Sequence, residues 1–451
     1  MFASSSRPDS VIVVGAGPAG ATAARQLASA GVQVRLLDRA AFPRNKPCGG
    51  GISTRVLKRF PYLGRELPRI ATHSVSRLYL EGPDGRSTLV ESEFPLALMI
   101  RRVEFDALLV SLAVAAGAEL VSHAEIVQAH QDRDRVTLTT RDGRRFSAPV
   151  VIAGDGVNSV VARRLGLNRG WPASAVALDM MEETPRSALR DVDPSTLWVA
   201  YGYTPKTGTA KHAEHAERPG SALFASSAVK RGPTAEGYAY IFPKRDHVNI
   251  GVGYVLSHYR QAIGQAPYDL QCGFVERLRD RGIVVGESMR ENFTPFLIPV
   301  GGPLRKPGRG RVLLAGDAGG FVNGATAEGI YYAMVSGDLA ARAIQSAPDD
   351  VSRLATRYRR ACNYEIGAEL RDSVRIQRYL FADSRRIAQL IGGAHREQGI
   401  TRLLLDFVVG DRSYRDLRRR ILSRSPLLAA HFVWDWLTRK GLSREPDLST
   451  M

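Results

Sequence analysis

The chain of 451 residues has only three cysteines, Cys48, Cys272 and Cys362, set far apart. That spacing excludes a disulfide framework and any Cys-x-x-Cys metal site, and it suits a reducing compartment. There is no run of about 18 apolar residues to span a bilayer. The first ten residues, MFASSSRPDS, have no apolar core and lead directly into a strand pattern, so no signal peptide is expected. Lysine is scarce, 8 of the 62 basic residues, so the net charge of +17 rests on arginine. A charge of this size ordinarily points to nucleic acid or an anionic surface. An arginine excess follows codon composition as readily as function, and no nucleic-acid partner is expected. The excess gathers at one end: residues 351–451 carry 20 Arg and Lys against 11 Asp and Glu. Any acidic or membrane partner is expected to meet that end. Internal repeats and low-complexity tracts are missing as well.

What is present is organised around residues 11–39, VIVVGAGPAGATAARQLASAGVQVRLLDR. The apolar run 11–14 reads as a parallel strand buried on both faces. Gly15-Ala16-Gly17-Pro18-Ala19-Gly20 satisfies G-x-G-x-x-G. The first glycine permits the tight turn, the second lets backbone approach a pyrophosphate, and the third lets helix and strand pack closely. A helix of small residues, 19–30, follows and is ended by Gly31. A second strand, 32–37, delivers Asp38 at the distance expected of a carboxylate that holds a ribose hydroxyl. An acid at that place favours an unphosphorylated ribose, as in FAD or NAD.

Further along, Gly49-Gly50-Gly51 offers backbone able to lie against a flat ligand, and Ser53 is expected to cap a helix to about residue 60. Residues 73–93 alternate around Pro83-Asp84-Gly85 and read as a hairpin. A helix is expected over 102–116 and three short strands over 119–151, with Asp142-Gly143 as the last turn. A buried strand ends in Gly154-Asp155-Gly156. Residues 171–299 read as antiparallel strands, among them 238–243 and 247–254 joined by Lys244-Arg245-Asp246. The segment 204–219 reads as a loop whose His212 and His215 are solvated, so no metal site is expected. The strand 311–315 ends in Gly316-Asp317, a helix follows over about 326–345, and the remaining residues read as helices with apolar patches at 403–409 and 427–437. Gly251-Val252-Gly253 lacks a third glycine and a following helix, so it is no second nucleotide fingerprint.

Three motifs thus end parallel strands at the carboxyl side of one sheet, where ligands bind. The acid of the last, Asp317, suits the hydroxyls of a ribityl chain, which NAD does not have. The set resembles the FAD-binding domain of the para-hydroxybenzoate hydroxylase-like flavoproteins. Within that superfamily the closest likeness is to the geranylgeranyl reductase family, whose members saturate carbon–carbon double bonds of isoprenoid chains. It is carried by FPRNKPCGGGIS (42–53), YAYIFPK (238–244), NIGVG (249–253), GDAGGFVN (316–323) and EGIYYA (328–333). The sequence departs from the family where it usually shows Asn-Pro and Gly-Glu-Gly: here Gly324 follows Asn323 and Ala327 precedes Glu328.

The resemblance implies an α/β fold: a Rossmann-type FAD-binding domain (9–170 with an inserted hairpin at 73–100, completed by 301–346), a mostly antiparallel sheet domain for substrate (171–300), and a helical C-terminal region (347–451). It implies FAD held by Gly15, Gly17, Ala19, Gly20, Asp38 and Arg39 on the first turn. Pro47, Gly49, Gly50 and Arg102 would face the ring and phosphates, and Asp155, Gly316, Asp317, Gly329 and Ile330 would complete the cradle. Asp155 serves equally well as a structural turn. Cys48 beside the glycines would shape the pocket or assist proton delivery, against the plain reading of a small buried residue. Tyr238, Tyr240 and Phe242 share one strand face, as pocket wall or as core between the domains; either tyrosine is a candidate proton donor.

The function implied is reduction of an isoprenoid alkene by reduced FAD, replenished by an external donor such as NAD(P)H or a ferredoxin-type reductant. Such an enzyme is expected in the cytoplasm, with its basic C-terminal region, including Trp434 and Trp436, against the inner membrane surface. A plain helical cover over the pocket is the other reading of that region. The rival activity is a monooxygenase or halogenase using the same reduced FAD. The Trp-x-Trp-x-Ile-Pro pattern of halogenases is replaced here by Tyr238-Ala-Tyr240-Ile-Phe242-Pro243. A non-catalytic flavin carrier is the third reading, and the pocket-facing motifs argue against it.

Overall fold

The apolar run at the start of the chain forms Ser10–Val14, a central strand of a six-stranded sheet, in a computed structural model that describes residues 10–190, 192–204, 235–346 and 350–396. Val11, Ile12 and Val13 are all but inaccessible, because helices cover one face and an antiparallel meander the other. Gln33–Leu37 and Val150–Ala153 flank this strand in parallel. Glu119–Val121 extends one side, Val312–Leu314 the other, and Gly308–Arg309 closes that edge antiparallel. The first crossover is Pro18–Ala28, with proline at its first turn and Gly31, at φ +78°, just past its end.

Residues 119–151 hold more strands than expected. Glu119–Val121 joins the parallel sheet, while Ile126–Gln131, Val136–Thr140 and Arg145–Ala148 form the separate meander. Asp142-Gly143 does turn between the last two of these, with Gly143 at φ +87°. The stretch 73–93 also divides: Arg77–Glu81 and Ser87–Glu91 make the hairpin, whereas Thr72–Val75 pairs with Ala97–Ile100. Ser53 lies in the short strand Gly51–Ser53. Thr54 takes the cap position of Arg55–Arg59, because the backbone at 51–53 is held by pairing to 97–99.

The second large sheet has seven strands in the order Phe293–Ile298, Ala177–Pro185, His247–Val255, Gly237–Pro243, Thr196–Tyr201, Arg77–Glu81, Ser87–Glu91. Every neighbouring pair is antiparallel except Thr196–Tyr201 with Arg77–Glu81. The hairpin supplied by the first half of the chain is therefore part of the sheet built by the second. Pro267–Asp280 covers one face through Leu270, Phe274 and Leu278.

Ile330–Gln345 returns to the first sheet. It starts four residues later than the sequence pattern suggests, because Asn323 holds residues 325 and 326 in a turn. Leu354–Cys362, Ala368–Phe381 and Ser384–Arg396 follow. No helix among the described residues is long and apolar enough to cross a membrane. The loop expected at 204–219, apart from Thr204, the apolar patches at 403–409 and 427–437, and both tail tryptophans lie outside the described residues.

Candidate functional site

The site forms where the first turn, the glycine segment 48–51, the end of strand Val312–Leu314 and strand Gly237–Pro243 meet. Gly15, at φ +87°, donates its N–H to the Leu37 carbonyl at 2.7 Å, and a Cβ on it would lie 2.4 Å from the Gly154 carbonyl oxygen. A Cβ on Gly20 would lie 1.8 Å from the Gly15 carbonyl oxygen. Gly17 differs: its nearest neighbours would be the guanidinium tips of Arg44 at 3.7 Å and Arg102 at 4.0 Å. Open backbone at a helix N-terminus, faced by two arginines, has the chemistry that suits a diphosphate. Arg102 is held for this by a bidentate pair to Asp106 at 2.6 and 2.7 Å.

Asp38 accepts from the Ala16 N–H at 2.7 Å and the Ala40 N–H at 2.9 Å, which locks the turn and fixes its carboxylate. Arg39 beside it is exposed. Asp155 spends one oxygen on the N–H groups of Val160 and Val161, at 2.8 and 3.2 Å, while its other oxygen is buried without a partner. Burial pushes its carboxyl up against those hydrogen bonds.

Gly316, at φ +60°, and Ala19 are in close contact, which brings the late strand end onto the first helix. Asp317 makes no side-chain hydrogen bond among the described residues, and its Oδ1 lies 3.6 Å from where a Cβ of Gly329 would be. Burial raises its carboxyl despite the nearby cations of Lys46 and Arg102. A desolvated carboxylate with free lone pairs beside the start of Ile330–Gln345 calls for a ligand with hydroxyls. The donor set thus fits a dinucleotide with a polyhydroxy chain.

On the opposite wall, Cys48 is half-buried and its sulfur accepts from the Gly50 N–H at 3.4 Å. Asn249 donates to the Cys48 carbonyl at 3.2 Å, and Lys46 donates to that of Pro47 at 3.2 Å. A Cβ on Gly49 would lie 2.7 Å from the Phe242 ring, and one on Gly50, at φ +78°, 2.1 Å from the Ile100 carbonyl. Tyr238, Tyr240 and Phe242 do share one face, with ring centroids 6.1 and 4.6 Å apart in turn. Tyr238 donates to the Thr326 carbonyl at 2.9 Å, and Tyr240, fully buried, donates to Asp179 Oδ2 at 2.9 Å. The glycines of Gly251-Val252-Gly253 make this possible. A Cβ at 251 would lie 2.7 Å from the Tyr240 ring and hydroxyl, and one at 253 would lie 3.3 Å from Asp179 Oδ1.

With that geometry the comparisons agree. Residues 9–235 match the family model described as an FAD binding domain. A menaquinone reductase of Mycobacterium tuberculosis is 32% identical over 76% of this chain and 78% of its own. The chain belongs to the geranylgeranyl reductase family of FAD-dependent oxidoreductases. A digeranylgeranylglycerophospholipid reductase of Methanocella arvoryzae is 27% identical over 94% of this chain and 98% of its own. In fold, a geranylgeranyl bacteriochlorophyll reductase-like protein of Thermoplasma acidophilum superposes with a TM-score of 0.72, at 19% identity, over 92% of this chain and 98% of that one. FAD is the cofactor of this member of the geranylgeranyl reductase family.

Both departures from the family's pattern have local partners. Gly324 donates its N–H to Ser373 at 2.8 Å, and a Cβ on it would meet Val374 at 2.9 Å, so the helix Ala368–Phe381 occupies the room a proline would need. Ala327 takes the left-handed conformation at φ +57°. Sequence reasoning missed Arg44, Lys46 and Asp179. The first two stand in the segment that carries the family likeness. Asp179 is one of three acids in the strand Ala177–Pro185, and only its inward register beside Tyr240 sets it apart. Among the described residues no group of three or more His, Cys, Asp or Glu could hold a metal.

Proposed function

We propose that the protein reduces carbon–carbon double bonds of an isoprenoid chain. The observation that carries this reading is an apolar pocket beside the cofactor cradle, between strand Gly237–Pro243 and helix Ala368–Phe381. Tyr238, Val255, Ile298, Val300, Ala327 and Phe381 line it, with Asp179, Glu236 and Gln377 among them; its open volume is about 40 Å³, room for one end of a hydrocarbon chain and not for its whole length. When bound and reduced by an external donor, FAD supplies the hydride. The chain's own residues do the rest. Gly15, Gly17 and Gly20 with Ala19, Arg44 and Arg102 take the diphosphate, Asp38 the ribose, and Asp317 with Gly316 the ribityl hydroxyls. Pro47, Gly49, Gly50, Gly329 and Ile330 border the ring. Cys48 and the Tyr238 ring confine the alkene against it.

Two measurements test this. Asp317→Ala is expected to purify with at most a tenth of the wild-type flavin, read from visible absorbance; full flavin content would remove Asp317 from the cradle. For the reaction, bound flavin is reduced anaerobically and then challenged with geranylgeranyl diphosphate, a polyprenyl quinone or oxygen. Reoxidation by an alkene with a saturated product supports the reductase. Rapid reoxidation by oxygen alone, with neither alkene active, would place the chain with the monooxygenases.

A further inference from the structure

Asp179 is the third residue of Ala177–Pro185, between Leu178 and Met180, and is 6% exposed. Its Oδ2 accepts from Tyr240, while Oδ1 is buried and has no hydrogen-bond partner. The residue lines the apolar pocket together with Tyr238, Gly253 and Ala327. Gly253, opposite it in register, leaves its carboxyl uncovered; a side chain there would press against Oδ1. An orphaned carboxyl oxygen in an apolar pocket, one bond from a tyrosine, is costly to maintain as structure alone. A buried acid of this kind is the arrangement that keeps a carboxylic proton available near neutrality.

We propose that Asp179 is the acid that delivers the proton in alkene reduction, an assignment that rests on the reductase reading above. In this step hydride adds to one alkene carbon and the Asp179 proton to its neighbour. The bond that carries the hydride on the reduced flavin, the C=C π bond and the carboxyl O–H bond break; two C–H bonds form, one from the hydride pair and one from the π pair, the flavin ends oxidised, and the O–H pair stays on the carboxylate. The two electrons come from the reduced flavin, which the external donor has charged, and solvent returns the proton to Asp179. Tyr240 steadies the carboxylate left behind by its hydrogen bond, and Lys46 does so by charge. Lys46 reaches the site over the ring of Phe296, the residue paired with Asp179 on the outer strand.

The groups facing Asp179 fix the sign of the pH dependence. Burial pushes its carboxyl up to about 7, against the Tyr240 hydrogen bond and the charge of Lys46. Burial and the Asp179 charge in turn raise Tyr238 and Tyr240 far above their ordinary range, which leaves both as poorer acids. Glu236 stands at the rim of the same pocket. Below neutrality Asp179 carries its proton, and as pH rises through about 7 it loses it.

The test uses flavin-loaded enzyme reduced anaerobically and mixed with geranylgeranyl diphosphate or a polyprenyl quinone across pH 5–9. Wild-type reoxidation is expected to be flat at low pH and to fall about tenfold per unit above the midpoint. Asp179→Asn is expected to keep its flavin and its rate of reduction by the donor, to reoxidise at least about 100-fold more slowly, and to lose the pH limb. Asp179→Glu should recover part of the limb, and Tyr240→Phe should move it to higher pH. A substrate-free reading accompanies these: the infrared band of a protonated carboxyl, present at pH 5.5, gone at pH 9 and absent from Asp179→Asn. Asp179→Asn reoxidising within threefold of wild type, or keeping the limb, overturns the assignment alone. If that variant does not hold flavin, an unmoved limb in Tyr240→Phe overturns it, as does a wild-type infrared spectrum with no such band. If neither probe reoxidises wild-type flavin, the reductase reading falls and the assignment falls with it.

Discussion

Ala327 is one of two non-glycine residues with positive φ among the described residues, and it sits at the pocket wall where the family usually has glycine. A Cβ in the left-handed region costs about 1–2 kcal/mol, partly offset because glycine loses more freedom on folding. Ala327→Gly is therefore expected to stabilise the protein by about 0.5–1 kcal/mol in thermal unfolding; a lower melting temperature would show that the Ala327 methyl group does useful packing. At this scale the sequence was legible wherever a motif states its own geometry. Gly15, Gly20 and Gly50 are all places where a Cβ would strike backbone. It was illegible for Asp179, whose meaning depends on Tyr240 and Gly253 arriving from two other strands. Asp155 was ambiguous for a related reason: one of its oxygens takes the N–H groups of Val160 and Val161 at the helix start, while the other is buried without a partner, so the turn role and a cofactor role draw on different atoms of one carboxyl.

Between elements, the contact that sets the cradle is the packing of Pro18–Ala28 on Ile330–Gln345. Gly337 lies against Ala19, and a Cβ on it would approach the Ala19 carbonyl oxygen to 2.1 Å. Gly337→Ala must push the helices apart and with them the open turn at Gly17. A loss of about 1–3 kcal/mol is expected, together with a lower flavin content after dialysis; unchanged flavin retention would mean that the turn is held by Asp38 and the strands alone. A second tie is the cluster of half-buried Arg55 and Glu369 with buried Tyr332. Arg55 donates to Tyr332 at 2.6 Å and Glu369 at 2.8 Å, which joins the glycine segment to helix Ala368–Phe381. Helices and strands with strong periodicity were readable from sequence, as at 102–116. Pairing was not: nothing local told Thr72–Val75 from the hairpin beside it, because its partner, Ala97–Ile100, lies beyond that hairpin.

Across the whole molecule, the seven-stranded sheet draws on residues 77–91 and 177–298, so neither half is complete without the other. A fragment of residues 171–300 lacks two strands and leaves the edge of Thr196–Tyr201 open. It is expected to be insoluble or to aggregate by its open edge, whereas co-expression with residues 1–170 should recover soluble material. A soluble, cooperatively unfolding 171–300 fragment would show that the hairpin is an ornament. The parallel pairing of Arg77–Glu81 with Thr196–Tyr201 also has a history in time. As the chain leaves the ribosome, Leu78, Leu80 and Val90 emerge with no sheet to join until roughly a hundred further residues have been made. At about 5–20 residues per second that is a wait of roughly 5–20 seconds. For that interval the newborn hairpin has only its near neighbours, Val75, Leu96, Ala97 and Met99, to shelter its apolar side.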